Sequence, residues 1–166
     1  MWSPWRCSAV AIEIERKFLV TSDAWRDEVS RSARLAQAYL TDGGRASVRV
    51  RIDGDHANLN IKQAVAGATR LEFEYPIPLE DAETLMRTLG GTRIEKTRHW
   101  IPAGDLLWEV DEFAGDNAGL VVAEIELPTV DTAFEQPAWL GEEVTHDLRY
   151  YNNELSQRPF RRWPST

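Results

Sequence analysis

Seven segments of this 166-residue chain place polar or charged side chains at every second position with apolar ones between them, and the signs of charge are largely sorted by segment. In Ile12–Val20, Ile12, Ile14 and Phe18 oppose Glu13, Glu15 and Lys17. Residues two apart share a face only on an extended strand; on a helix Glu13 and Glu15 would point to nearly opposite sides. Arg45–Ile52 sets Arg45, Ser47, Arg49 and Arg51 against Ala46, Val48, Val50 and Ile52, and Asn58–Lys62 sets Asn58, Asn60 and Lys62 against Leu59 and Ile61. Between these two, Asp53-Gly54-Asp55 supplies a hairpin turn. Arg70–Ile77 opposes Arg70, Glu72 and Glu74 to Leu71, Phe73 and Tyr75. Leu106–Phe113 opposes Glu109 and Asp111 to Trp108 and Val110, and Leu120–Leu127 opposes Glu124 and Glu126 to Val121, Ala123, Ile125 and Leu127. Arg93–Ile101 is the least regular, with Lys96 and Arg98 on one side and Thr97 and His99 on the other.

Helical signals fill the gaps. Ser22 or Asp23 caps a predicted helix running to about Ser32. A second helix is expected over Asp81–Leu89, after Pro78 and stopped by Gly90-Gly91, and a third over Asp147–Ser156 before Pro159. Many strands at hairpin spacing with few helices predict an α+β domain built on an antiparallel barrel or a strongly curled sheet. Met1–Ala11 and the residues after about Arg158 read as irregular tails. The expected organisation is therefore an extension over 1–11, one domain over 12–158 and a tail over 159–166.

The bulk properties narrow the partners. With 43% hydrophobic and 28% charged residues the chain is ordinary for one soluble domain. No apolar run is long enough to span a bilayer, and Met1–Ala11 lacks the apolar core and cleavage site of a signal peptide. A single cysteine, Cys7, cannot form an intramolecular disulfide, so a cytoplasmic setting is expected. The formal charge of −8 argues against duplex nucleic acid, but a local cluster of Arg and Lys can still grip a small polyanion. His56, His99 and His146 have no zinc-site spacing, Cys7 has no evident activating partner, and there is no Walker loop, GxGxxG or GxSxG. The seven tryptophans read as packing residues.

The charged faces admit two readings. One is a half-buried sheet, apolar inside and solvated outside. The other is a sheet closed with its charges inward and its apolar face covered by helices. Acidic pairs (Glu13/Glu15, Glu72/Glu74, Glu109/Asp111, Glu124/Glu126) on some strands and basic ones (Arg49/Arg51, Lys62, Lys96/Arg98) on others favour the second. A face built for solubility mixes its signs, and Arg suits a bidentate grip on phosphate. Cross-strand ion pairing also accounts for the sorting. Both readings stay open on pattern alone.

Glu13-Ile14-Glu15-Arg16-Lys17 matches the ExExK signature of the CYTH superfamily, the triphosphate tunnel metalloenzymes. It is followed in order by Gln37-Ala38-Tyr39-Leu40, Val48-Arg49-Val50-Arg51, Ile61-Lys62, Glu72-Phe73-Glu74, Lys96-Thr97-Arg98, Trp108-Glu109-Val110-Asp111 and Ala123-Glu124-Ile125-Glu126. From Ile12 to about Ser156 the chain resembles that family, small bacterial inorganic triphosphatases in particular. The resemblance implies a closed eight-stranded antiparallel β-barrel with a charged lumen and outer helices, Gln37–Leu40 being the best candidate for the eighth strand. It implies Glu13, Glu15, Lys17 and Tyr39 as catalytic residues and Lys17, Arg49, Arg51, Lys62, Lys96 and Arg98 as substrate-binding residues. Mg²⁺ or Mn²⁺ would be held by Glu13, Glu15, Asp111, Glu124 and Glu126. Glu72, Glu74 and Glu109 would be further lumen acids, and Asp147–Leu155 would plug one tunnel end.

The implied activity is metal-dependent hydrolysis of a linear triphosphate, inorganic tripolyphosphate to pyrophosphate and phosphate. Thiamine- or nucleoside-triphosphatase activity, an adenylate cyclase of the same fold and a non-catalytic polyphosphate-binding module are the alternatives. The expected partner is a small-molecule triphosphate, with neither duplex nucleic acid nor membrane, and a homodimer is allowed. One departure stands out: the signature usually lies near the initiator methionine, whereas here the Trp-containing Met1–Ala11 precedes it.

Overall fold

Alternation over so many segments needs partners on both edges of every strand, and a closed sheet supplies them. The computed structural model describes residues 11–41 and 44–164, so Cys7 and the rest of the extension before Ala11 lie outside the described residues. The described residues form nine strands: β1 (Ala11–Val20), β2 (Arg31–Tyr39), β3 (Ala46–Asp53), β4 (His56–Gln63), β5 (Thr69–Pro76), β6 (Ile94–Ala103), β7 (Leu106–Phe113), β8 (Val121–Glu126) and β9 (Leu140–Glu143). They pair antiparallel in the order β5-β4-β3-β2-β6-β7-β8-β1, and β5 pairs again with β1, which closes an eight-stranded barrel. Closure removes the open edges that would otherwise invite another chain.

The first half of β1 pairs with β5 through Ala11–Ile14, whereas its second half pairs with β9 through Phe18 and Val20. The barrel therefore splays beyond Ile14, and β9 with the residues after it fills the gap. Val144 N–H donates to the Lys17 carbonyl at 2.8 Å, and Lys17 N–H donates to Thr145 Oγ1 at 3.0 Å.

Directly opposed residues of an antiparallel pair share a face. Glu13 opposes Arg70, Glu15 opposes Glu126, Lys17 opposes Glu124, Arg49 opposes Asn60, Lys62 opposes Glu72 and Arg98 opposes Asp111, so the charged faces all turn inward. The apolar faces turn outward and are covered in two places. Phe18, Ile101, Trp108, Val110, Ala123, Ile125 and Leu127 pack with Trp25 and Trp139. Trp108 meets Phe18 at 5.7 Å, Phe134 at 5.6 Å and Trp139 at 5.7 Å, all edge-on. On the other side Val50, Ala57 and Ala82 make a second cluster beneath α1 (Leu79–Thr88). A third cluster lies on the inward face: Ile94, Phe113, Leu120 and Val122 meet Leu155 of α2 (Asn152–Gln157), which corks one end of the lumen.

Three expectations change. The helix expected from Ser22 or Asp23 to Ser32 is a 3-10 turn over Asp23–Glu28, and Arg31 already begins β2. The eighth strand thus runs over Arg31–Tyr39 and not only Gln37–Leu40. Its helix-compatible Ser and Ala residues extend because β3 and β6 each present an unpaired edge that only this segment can satisfy. The helix expected over Asp147–Ser156 is broken at Tyr151, extended at φ −79° and ψ 140°. Asp147 caps a 3-10 turn over Leu148–Tyr150, and the break lets the Tyr151 hydroxyl donate to the Thr145 carbonyl at 2.7 Å. After Arg158 the chain makes another 3-10 turn over Phe160–Arg162, with Phe160 and Trp163 packed against the corking cluster.

Trp108→Ala should cost about 3–5 kcal/mol of folding stability, because it empties the centre of an aromatic cluster. Val130→Ala, at an exposed position, should stay within about 0.5 kcal/mol. Urea titration of both variants checks this.

Candidate active site

β1 contributes Glu13, Glu15 and Lys17 to the lumen because its inward face is its odd-numbered one; the same parity delivers Tyr39, Arg49 and Arg51, while even parity delivers Lys62, Arg70, Glu72, Glu74, Arg98, Glu124 and Glu126. These side chains line a cavity of about 220 Å³, together with Ser47, Glu109, Tyr151, Asn152 and Asn153. Six basic and seven acidic side chains share this wall.

Charges in so confined a space must be paired. Glu13 accepts from Lys62 at 2.8 Å and from Arg70 at 2.5 Å, and Lys62 also reaches Glu72 at 3.2 Å. Glu15 lies 3.7 Å from Lys17 and 3.5 Å from Arg70. Glu124 is held by Lys17 and by Arg98, the latter at 3.0 Å, and Arg98 also pairs with Glu109. Arg51 meets Glu74 at 3.3 Å. Among the described residues Arg49 is the lumen cation with no carboxylate within ion-pair distance, and its buried Nε has no hydrogen-bond partner.

Lys96 and Asp111 are placed differently from the other predicted site residues. Neither lines the cavity: Asp111 is fully buried, held by Lys96 and doubly by Arg98 at 2.7 Å through each oxygen. Burial pushes the Lys96 ammonium down to about 8 although Asp111 opposes it. Asp111 itself lies below its ordinary value, because Arg98 and Lys96 overcome the effect of burial. In this triad Asp111 Oδ1 accepts from Arg98 alone, while Oδ2 accepts from both Lys96 and Arg98.

The other acids divide by their neighbours. Burial alone would raise Glu124, but Lys17 and Arg98 hold it well below the usual carboxylate range. Glu15 is raised by burial and then by Glu124. Glu126 is raised by burial and then by Glu13, Glu72 and Glu109, and it has no ion-pair partner among the described residues. Burial also raises the Tyr39 phenol, so Tyr39 enters as a neutral group.

No three His, Cys, Asp or Glu side chains among the described residues already converge as a metal cage. The donor set nevertheless fits a hard cation. Glu13, Glu15, Glu124 and Glu126 sit on adjacent β1 and β8, they offer only oxygen, and their mutual repulsion is what such an ion relieves.

Arg70 is the functional-site cation that the sequence assigned to no role, although its alternation with Glu72 and Glu74 was the available signal. Tyr151, Asn152 and Asn153 left no such signal, because they reach the cavity from the broken C-terminal helix and not from a strand.

A closed barrel whose lumen brings paired carboxylates and arginines around a small polar cavity defines a polyanion-binding tunnel. The family model described as the CYTH domain matches residues 11–160. An inorganic triphosphatase of Acetivibrio thermocellus is 41% identical over 150 residues, covering 90% of this chain and 96% of that protein. One from Nitrosomonas europaea is 38% identical over 149 residues, covering 87% and 96%. The crystal structure of an inorganic triphosphatase superposes with a TM-score of 0.62 at 37% identity, covering 87% of this chain and 93% of the other. This chain belongs to the CYTH family.

The two acids of β8 should respond oppositely to amide substitution. Glu124→Gln breaks a buried pair and should cost about 3–5 kcal/mol. With its folded value below the unfolded 4.5, that stability is present above about pH 4.5 and lost as pH falls further. Glu126→Gln removes a repelled charge and should raise the melting temperature by about 2 °C near neutral pH. The gain should vanish on acidification, where the wild-type carboxyl is protonated anyway. Thermal melts between pH 3 and 8 read both signs.

Proposed function

We propose that this chain hydrolyses inorganic tripolyphosphate to pyrophosphate and phosphate in a metal-dependent reaction. The observation that carries the reading is Arg49, a nearly buried guanidinium that lines the cavity without an acidic partner among the described residues. An unpaired buried cation of that shape is matched by a phosphate, which its planar fork grips through two oxygens. The names of the relatives point the same way.

The remaining basic side chains are engaged by carboxylates, and a triphosphate would compete with those carboxylates for them. Mg²⁺ or Mn²⁺ held by Glu13, Glu15, Glu124 and Glu126 would neutralise phosphate charge and activate the attacking water. Arg49, Arg51 and Lys62 on β3 and β4 bind the phosphate chain along one wall. Lys17, Arg70 and Arg98, exchanged from their glutamates, bind it from the other. Glu13 or Glu15 orients the water toward the terminal phosphorus, the bridging P–O bond breaks, and pyrophosphate leaves. Tyr39, neutral and beside Arg49, is a hydrogen-bonding wall. Lys96 and Asp111 act from below by fixing Arg98.

Size favours the inorganic substrate over a nucleotide or thiamine ester. A cavity of about 220 Å³ is below the roughly 300–1,000 Å³ of pockets that enclose drug-sized ligands. Among the described residues its aromatic lining is Tyr39 and Tyr151 alone, with no apolar slot for a base. No helix among the described residues is long and apolar enough to cross a membrane. The single cysteine supports a cytoplasmic setting.

Phosphate release from tripolyphosphate, ATP and thiamine triphosphate, each with Mg²⁺ and with Mn²⁺ and with cyclic AMP assayed alongside, tests the reading. Tripolyphosphate should be turned over fastest, and excess chelator should abolish the activity. Arg49→Ala should lower kcat/KM roughly 10- to 100-fold, the loss of a charged hydrogen bond. Equal turnover of all three substrates, or an unchanged Arg49→Ala, would defeat the assignment.

A further inference from the structure

Two of the cations that line the cavity depend entirely on acids that the proposed reaction gives to the metal. Among the described residues Lys17 pairs only with Glu15 and Glu124, and Arg70 only with Glu13 and Glu15. The other paired cations of the wall keep a carboxylate outside that set. Lys62 has Glu72, Arg98 has Glu109 and Asp111, and Arg51 has Glu74. An ion that draws in Glu13, Glu15 and Glu124 therefore strips Lys17 and Arg70 of every carboxylate they hold.

These same two cations share an uncharged neighbour. The Lys17 ammonium and the Arg70 guanidinium each stand 5.5 Å from the centre of the Tyr151 ring. That distance lies within the roughly 6 Å over which the negative face of an aromatic ring attracts a cation. Tyr151 is nearly buried and lines the cavity. Its far end is anchored: the hydroxyl donates to the Thr145 carbonyl at 2.7 Å. Thr145 in turn accepts from the Lys17 N–H at 3.0 Å, so the ring is tied to the strand that carries Lys17. A hard ion takes oxygen ligands and does not compete for an aromatic face.

We infer that Tyr151 is a positioning residue that holds Lys17 and Arg70 at the lumen wall once their glutamates turn to the ion, so that both meet the substrate's phosphates. A carboxylate at this place would neutralise the two cations and repel phosphate. An aliphatic side chain would leave them buried without a partner, which is costly. The ring avoids both, because it attracts a cation while carrying no net charge. The inference rests on the proposed triphosphatase reading and adds to it a residue from the broken C-terminal helix.

The test compares wild type with Tyr151→Leu, which removes the ring, and Tyr151→Phe, which keeps the ring and removes the hydroxyl. Measured are binding of Mg²⁺ and of Mn²⁺, each alone, by calorimetry, KM for tripolyphosphate, and the melting temperature in chelator. Tyr151→Leu should weaken metal binding and raise KM, each about 10-fold, the combined effect of two partly buried cation–π contacts. Tyr151→Phe should recover most of both, although it melts lower than wild type for want of the bond to Thr145. A merely structural role would instead make metal affinity and KM follow the melting temperature across the two variants. Should Tyr151→Leu fail to fold, replacing Tyr151 by pentafluorophenylalanine keeps the ring's shape and reverses its charge distribution. Metal binding should then fall about 10-fold below that of Tyr151→Phe. Metal affinity and KM within twofold of wild type in the variant that loses the ring or its charge distribution overturn the inference, and so does a Tyr151→Phe as impaired as that variant. Wild-type protein that neither binds metal nor hydrolyses tripolyphosphate would sink the proposed function itself and this inference with it. Normal wild-type turnover with an indifferent Tyr151→Leu would sink this inference alone.

Discussion

Burial of opposite charges inside a closed sheet is the constraint from which the rest of this structure follows. Where eight strands seal a ring, the deepest inward side chains lose bulk water, and a cation buried there is stabilised by a carboxylate or a ligand. The cross-strand register answers this at several positions: Glu13 faces Arg70, Lys17 faces Glu124, Lys62 faces Glu72 and Arg98 faces Asp111, whereas Glu15 faces Glu126 and Glu109 faces Glu124. The sorting of signs by strand, ambiguous in one dimension, is in three dimensions the condition for closing the barrel at all.

That solution is also what makes the lumen a site. A web of pairs is neutral enough to fold and polar enough to be exchanged for phosphate and cations. The places where pairing fails are the informative ones. Among the described residues Arg49 lacks an acid, Glu126 lacks a base, and the Gln37 amide lacks a hydrogen-bond partner. The deeper Lys96–Asp111–Arg98 group is the opposite case, a buried carboxylate held by two cations.

Turning the charged face inward imposes a second cost, since every apolar face then points to solvent. The chain meets it with segments that carry little periodic signal. The 3-10 turn holding Trp25, the stretch with Phe134 and Trp139, and α1 cover the outside, while the broken C-terminal helix inserts Leu155 into the lumen. Trp25, Trp108 and Trp139, which read as packing residues, belong to this outer cover.

Alternation determined most of the barrel before any coordinates, because a period of two has only one structural meaning and charges of one sign mark one face. It located seven strands to within a residue or two, and the ExExK block with its successors named thirteen of the eighteen side chains that line the cavity. What it could not supply was anything set by a partner elsewhere in the chain. Arg31–Tyr39 is a strand because two edges need it, β9 exists because β1 leaves β5 after Ile14, and Tyr151 interrupts a helix because its hydroxyl has a carbonyl to reach. Whether Asp111 faces the cavity or lies beneath it, and whether Arg49 has an acid beside it, were likewise decided by tertiary structure alone. Parity along a strand fixes which face a side chain takes, and only the closed ring fixes the depth at which it sits and what it meets there.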